Sequence, residues 1–412
     1  MHILYVENAI GFGGSTRCVL DLSERCVGHG WRASLALGHP LPVDHAVDAS
    51  VKVIPLHDTP AMRRSVKLRR FRDGSAWRAR VGFVASVLAA DIPLALRLAR
   101  YVIEHDVDLI HANNDLLVNR AAILAGRLTS RPVVSHQRGW VWPCATVRWL
   151  ARRSDRIIAI SRAVGDDLGA AGVADDRVVV CYDGIDVARF AGGAADRSRV
   201  RRGWGWTDDH LVVGMPAVLT EWKGHAHFLH AFAELADRHP MARAVVVGGP
   251  VPGEPDLLDE LQRLAQRLGI RRFVHFAGHV SAMPSVYAAM DVVVHASRRP
   301  EPLGLVVLES MSAGRAVVAM RAGGPVEIIT HGVDGLLVGT GDGAALVEEM
   351  ARLASDPQSR ERLGLAAVQR AAEFDLRHCW SRTVDVYEDV VRRRGTSPQE
   401  STTWASRPSS CC

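Results

Sequence analysis

Cysteine is thinly used in this 412-residue chain, and an excess of charge of either sign is missing. The seven cysteines are Cys18, Cys26, Cys144, Cys181, Cys379, Cys411 and Cys412. They form no CxxC pair and no zinc-ligand spacing, and an odd count without a secretory pattern points to reduced thiols in a cytosol. The opening "MHILYV" reads directly as a strand, with no basic segment and apolar core ahead of it, so no signal peptide is expected. No apolar run reaches the ~20 residues of a membrane span. The longest, about 81–96, is interrupted by Asp91 and Pro93 and reads as a buried or interfacial helix. Fifty basic against 45 acidic residues is too even a balance to argue for nucleic acid. A metal site is not expected either. "DVD" at 106–108 precedes a strand instead of closing one, and His225, His227 and His230 lack the i, i+4 pair with a carboxylate of a helical zinc site.

What is present is alternation. Short β-rich runs ("HILYV", "RASLAL", "DLIHANN", "RPVVSHQRG", "DRIIAIS", "RVVVCYDGID") are separated by amphipathic stretches, the first from about Thr16 to Gly28. This is the pattern of parallel strands covered by helices. The series then restarts. "AGGAADRSRVRRGWGW" has the composition of a linker, and "LVVGMPAVL", "RAVVVGG", "RFVHFAG", "DVVVHAS" and "RAVVAM" follow it. The expected architecture is α/β, with two doubly wound Rossmann-like domains facing a cleft. Residues 1–190 would form an acceptor-side domain and 205–377 a nucleotide-sugar-binding domain. The amphipathic stretch 378–394 would pack back on the first domain, and 395–412, rich in Ser and Thr, reads as a disordered tail. Between positions 62 and 80, Arg63, Arg64, Lys67, Arg69, Arg70, Arg72, Arg78 and Arg80 stand against a single Asp73. A solvated helix face would explain them. Adjacency to the apolar 81–96 run favours a surface for anionic lipid or an anionic acceptor, so 62–96 is a candidate membrane patch at the inner face.

The stretch "RRPEPLGLVVLESMSAG" poses the sharper question, because it sets one carboxylate in a loop and a second inside the next helix. With "DVVVHAS" as a strand, the helix begins near Gly304. The N–H groups of Gly304, Leu305 and Val306 then point into the crevice at the strand's carboxyl end, an anion site where glycine lets a phosphate approach. Glu301 sits beside it, and Glu309 lies about a turn and a half further on, where a carboxylate can accept hydrogen bonds from vicinal ribose hydroxyls. Gly323, Gly324 and Pro325 form a tight turn before another helix, with Glu327 in its first turn, as dipole complementarity alone would explain. Lys223 follows the first strand of this half, where it can meet a diphosphate as a point charge. Trp140 and Trp142 lie just after His136, and both sugar stacking and core filling remain open for them.

"EWKGH", "FVHFAGHV" and "PEPLGLVVLESMSAGRAVVAMRAGGPVEIITHGVDGLLV", in that order, resemble the retaining GT-B glycosyltransferases of glycosyltransferase family 4. "GFGGS", "DLIHANN", "PVVSHQRG", "IIAISRAVGDDL" and "CYDGIDVARF" resemble its amino half more faintly. The resemblance implies that Glu309 binds the ribose and Glu301 the transferred sugar. Leu303, Gly304 and Leu305 would offer N–H groups to the diphosphate or sugar, and Lys223 would neutralise the leaving group. Gly14 would approach the donor phosphate across the cleft, His136 would face the sugar, and His279 and Val280 would hold the base. It implies a metal-independent hexosyltransferase without cofactor. The donor would be a UDP- or GDP-sugar and the acceptor a saccharide or lipid-linked chain of cell-surface polysaccharide or glycoconjugate synthesis.

Two positions depart from the family's pattern. Val218 stands where it usually carries an arginine for the diphosphate, with Arg298, Arg299 or Arg138 as candidate substitutes. Asp183 takes the Asn position of the "NGVD" turn. Two other readings stay open: a nucleotide-sugar epimerase or synthase of the same architecture, and a donor-binding but catalytically weak partner subunit.

Overall fold

The computed structural model describes residues 1–8, 13–41, 47–56, 87–250 and 257–395. The basic run at 62–80, the first part of the 81–96 run and the expected tail from 396 lie outside the described residues. Among those described, no helix is long and apolar enough to cross a membrane.

Among the described residues, thirteen strands form two sheets, and every pair in both is parallel. The first holds β1 (His2–Glu7), β2 (Arg32–Leu37), β3 (Lys52–Pro55), β4 (Leu109–Asn113), β5 (Val133–Gln137), β6 (Arg156–Ala159) and β7 (Val178–Val180), in the order 3-2-1-4-5-6-7. The second holds β8 (Leu211–Pro216), β9 (Ala242–Val247), β10 (Val274–Gly278), β11 (Val292–His295), β12 (Ala316–Met320) and β13 (Leu336–Val338), in the order 10-9-8-11-12-13. Helices on both faces bury the central strands, which is why runs such as 292–294 are continuous valine instead of alternating. Each sheet reverses its order once, between β1 and β4 and between β8 and β11. Open α/β sheets bind ligands at such reversals, outside the strands' carboxyl ends.

Among the described helices are α1 (Gly14–Gly28), α2 (Ile92–Glu104), α3 (Arg162–Ala170), α4 (His225–Arg238), α5 (Leu305–Ser312), α6 (Pro325–Ile328) and α7 (Leu376–Arg393). The last follows the second sheet in sequence but packs on the first. Its Cys379, Trp380, Tyr387 and Val391 share a core with Ile3, Tyr5, Val19 and Leu22, and burying an aromatic pair of this size is worth several kcal/mol, at ~25 cal/mol per Å².

The stretch with linker composition is not a free linker. Residues 187–203 are helical, and Arg201 is fully buried, with Nη2 2.7 Å from Asp291 and Nε donating to the Ala289 carbonyl. Arg197 also pairs with Asp291, at 2.5 Å. These charges weld the segment to the second domain, because a buried guanidinium needs a carboxylate and carbonyl acceptors. The two chain crossings between domains lie side by side. Ile185 N–H donates to the Phe374 carbonyl at 3.1 Å, and Leu376 N–H donates back to Ile185 at 2.9 Å. A Cβ on Gly184 would sit 2.5 Å from the Leu376 Cα, so only glycine lets the crossings touch.

Candidate active site

The loop 300–304 after β11 is positioned by glycine. Gly304 caps α5 at φ +100°, a left-handed conformation that favours glycine. Gly323 (φ +71°) and Gly324 back the loop so closely that added Cβ atoms would meet the Glu301 carbonyl at 2.2 Å and Leu303 backbone at 2.3 Å. The Gly-Gly-Pro turn thus supports the motif loop from behind as well as starting α6. Gly224, at φ +82°, likewise lets the Lys223 turn close onto Ala296, whose carbonyl would lie 2.1 Å from a Cβ. The loops after β8 and β11 are therefore locked together at the sheet's switch point.

Two carboxylates result, in different settings. Glu301 accepts from Lys223 Nζ at 2.6 Å, from Ser297 Oγ at 3.2 Å, and lies 3.2 Å from His295 Nε2. Burial alone would raise its carboxyl; Lys223 and His295 outweigh burial and hold it at about 2. Glu309 is buried one and a half turns into α5, where Oε2 accepts from Tyr287 OH at 2.7 Å. Its other oxygen pairs with Arg17 Nη1 at 2.8 Å, reaching across from the first domain. Burial, then Glu309, pushes the Tyr287 hydroxyl well above its ordinary range, so it stays a donor. The free N–H groups of the first turn of α5 and its dipole add an anion-favouring end beside both.

Gly14 faces this helix. A Cβ there would be 3.3 Å from Leu305 Cδ1, so the starts of α1 and α5 come together. Leu303 is buried, whereas His279 is exposed and Val280 half-buried just after β10. The structure does not bring His136 to the cleft surface. It is 0% exposed, with Nδ1 3.3 Å from His111 and 3.2 Å from Arg138. Tyr387 of α7 completes the chain by contacting His111 Nδ1 at 2.6 Å. Burial, then Arg138, drives His136 well below the usual imidazole range and His111 to about 3. Both rings are neutral, and His136 is no solvent-facing base. Arg138 is itself buried and paired with Asp183, which explains an acid at that turn. Arg298 is exposed and lines a separate cavity of about 520 Å³ with His225, His227 and Arg267. Val218 is 44% exposed.

Several residues at this interface have roles across it that local sequence does not show. Glu327 serves the other domain as well as its own helix. Its carboxylate accepts from the N–H groups of Arg162 and Ala163 at the start of α3, both at 2.9 Å, and from Tyr182 OH at 2.8 Å. Trp140 Nε1 donates to the Pro300 carbonyl at 2.8 Å and Ser161 Oγ to that of Pro302 at 2.6 Å, docking the motif loop onto the first domain. Trp142 stands 71% exposed. Glu7 is fully buried at the end of β1, accepting from Asn113 and Ser15, and burial raises its carboxyl. Among the described residues no cluster of His, Cys, Asp and Glu is arranged to hold a metal ion.

Comparison with known proteins finds matches in both halves. Residues 196–370 match the family of glycosyl transferases group 1, and residues 12–189 match Glycosyltransferase Family 4. A D-inositol 3-phosphate glycosyltransferase of Actinosynnema mirum is 34% identical over 239 residues, 56% of this chain and 56% of that protein. A GDP-mannose-dependent alpha-(1-6)-phosphatidylinositol monomannoside mannosyltransferase of Mycolicibacterium smegmatis is 29% identical over 289 residues, 66% of this chain and 74% of that one. The Anabaena protein HepE, crystallised with UDP and glucose, superposes with a TM-score of 0.77 at 27% identity, over 94% of this chain and 100% of that one. The chain spans just over half the length of the first curated relatives it matches.

Proposed function

We propose that this chain, whose two halves match glycosyltransferase family models and whose fold superposes on HepE, is a GT-B glycosyltransferase that moves a sugar from a nucleoside-diphosphate donor to a saccharide or lipid-linked acceptor, with retention and without a metal. The observation that carries this reading is the Gly304-capped start of α5 at the switch point, with Glu301 and Lys223 on one side and Glu309 within two turns. In it, the diphosphate lies on the helix N-terminus and Lys223. Glu309 takes the ribose hydroxyls, Glu301 orients the sugar, and the 279–280 loop bounds the base. UDP- and GDP-sugars are the donors to try first, since HepE was crystallised with UDP and the mycobacterial relative is named for GDP-mannose.

The chemistry asks little of a general base. The transition state resembles an oxocarbenium ion, and the departing diphosphate gathers negative charge. Helix N–H groups and Lys223 stabilise that charge, and Glu301, ionised at all working pH, faces the developing positive ring. The leaving phosphate itself accepts the acceptor's proton in a front-face displacement. His136 then acts only through its neighbours, by holding Arg138 and Asp183 beneath the cleft.

The test is binding and slow hydrolysis of a panel of UDP-, GDP- and ADP-sugars in EDTA, for the wild type and Glu309→Ala. One donor should bind and turn over into water, and lose at least tenfold in affinity in the variant. No binding by any donor would sink the reading. Val218 favours a second reading, a donor-binding partner subunit with weak catalysis. It predicts tight binding and no transfer even when the correct acceptor is supplied.

A further inference from the structure

A diphosphate carries more than one negative charge, more than Lys223 alone can balance. Lys223 is bound to Glu301, Arg138 to Asp183, and Arg298 lines the other cavity. Val218 supplies no charge. Arg17 was not singled out by its sequence context, yet it leaves α1 one turn after Gly14, on the same face. The two helices lie so that Gly14 meets Leu305 while Arg17 meets Glu309, four residues further along α5. The Arg17 side chain is 27% exposed and opens on a cavity of about 350 Å³ shared by both domains, also lined by Leu305 and Glu309. A guanidinium has five N–H donors, so the bond to Glu309 leaves others for a phosphate.

We propose that Arg17 is a donor-binding residue of this site, making the phosphate contact that Val218 cannot make and delivering it from the opposite domain. This rests on the proposed nucleotide-sugar site. Its consequence is that diphosphate affinity depends on cleft closure, because the cation belongs to one domain and the helix N-terminus to the other. With the donor absent, Glu309 holds the guanidinium in place. With the donor bound, the same carboxylate takes the ribose while Arg17 turns its remaining donors to the phosphate.

Calorimetric titration separates this role from a purely structural latch. Nucleoside, nucleoside monophosphate and nucleoside diphosphate, of whichever uridine or guanosine series the wild type binds, are titrated into wild type, Arg17→Gln, Arg17→Lys and the double variant Arg17→Gln with Val218→Arg. The decisive quantity is the gain in affinity from nucleoside to diphosphate. In Arg17→Gln that gain should shrink about tenfold to a hundredfold, the range of a charge-assisted bond. Arg17→Lys should keep part of it, and adding Val218→Arg should restore part of it. If all ligands weaken together and the gain is unchanged, Arg17 is only a latch. If Val218→Arg restores nothing, Arg17 does not stand in for that position. If the wild type binds no nucleotide at all, the donor site itself is wrong and this proposal falls with it.

Discussion

Lys223 and Glu301 meet at 2.6 Å between loops that follow two neighbouring strands, β8 and β11. The pair is largely withdrawn from water, so each charge depends on the other. Lys223→Ala leaves the Glu301 carboxylate buried without its cation. We expect a stability loss on the order of 3 kcal/mol by urea unfolding and a fall in turnover of roughly 10²–10³-fold, the size seen when one transition-state donor is removed. A fall in donor affinity with turnover untouched would show that Lys223 serves binding alone.

Glu327 clasps the start of α3 and Tyr182 from the opposite domain. Glu327→Ala removes the acceptor of two helix-start N–H groups. It should cost about 1–2 kcal/mol, like other lost caps. The domains should also separate more readily, read as a larger radius of gyration in small-angle scattering. An unchanged radius together with an unchanged melting temperature would remove the clasp from the account of closure.

Asp21 lines the shared cavity, and burial pushes its carboxyl up to about 6, against the opposing pull of Arg17. A carboxyl raised in the folded state favours folding while protonated, and that contribution is lost as pH rises through about 6. Asp21→Asn should therefore stabilise the protein at pH 7.5, by on the order of 2 kcal/mol. The gain should fade below pH 4. Thermal melting of both proteins across this range decides the matter, and a gain independent of pH would exclude ionisation as its cause.

His111 and His136 behave oppositely. Both are held neutral by burial in the folded state, His111 at about 3. The unfolded chain takes up protons below about pH 6.5, so folding stability should fall as pH drops from there towards 4, by on the order of 1–3 kcal/mol per pH unit for the pair, with Asp21 offsetting part of it. Urea unfolding at pH 7, 6 and 5 measures the slope. His136→Asn should flatten it, and an unchanged slope would place the proton uptake elsewhere.

Most of the sheet architecture was legible because its strands are buried on both faces and appear as unbroken β-branched runs. The two that were missed, β3 (KVIP) and β13 (LLV), are short strands at the sheet edges. The motif loop was legible because its glycines and carboxylates are close in sequence. What was not legible lies between the halves. Glu327 looked like a helix-start charge until α3 appeared opposite it, and Arg17 looked like any helix arginine. The stretch 191–206 reads as a linker from its Gly and Ala content, since composition does not reveal that Arg201 is buried on Asp291. His136 was placed by its position in a motif, whereas its burial is set by α7, some 250 residues later in the chain.

The crossing at Gly184 has a mechanical consequence. Two strands of chain joined by reciprocal hydrogen bonds behave as one strap, and a strap permits bending about a single line while resisting twist. On this account the starts of α5 and α1 approach and part along one line. Gly14 should meet Leu305, and Arg17 Glu309, in the same register at every closure.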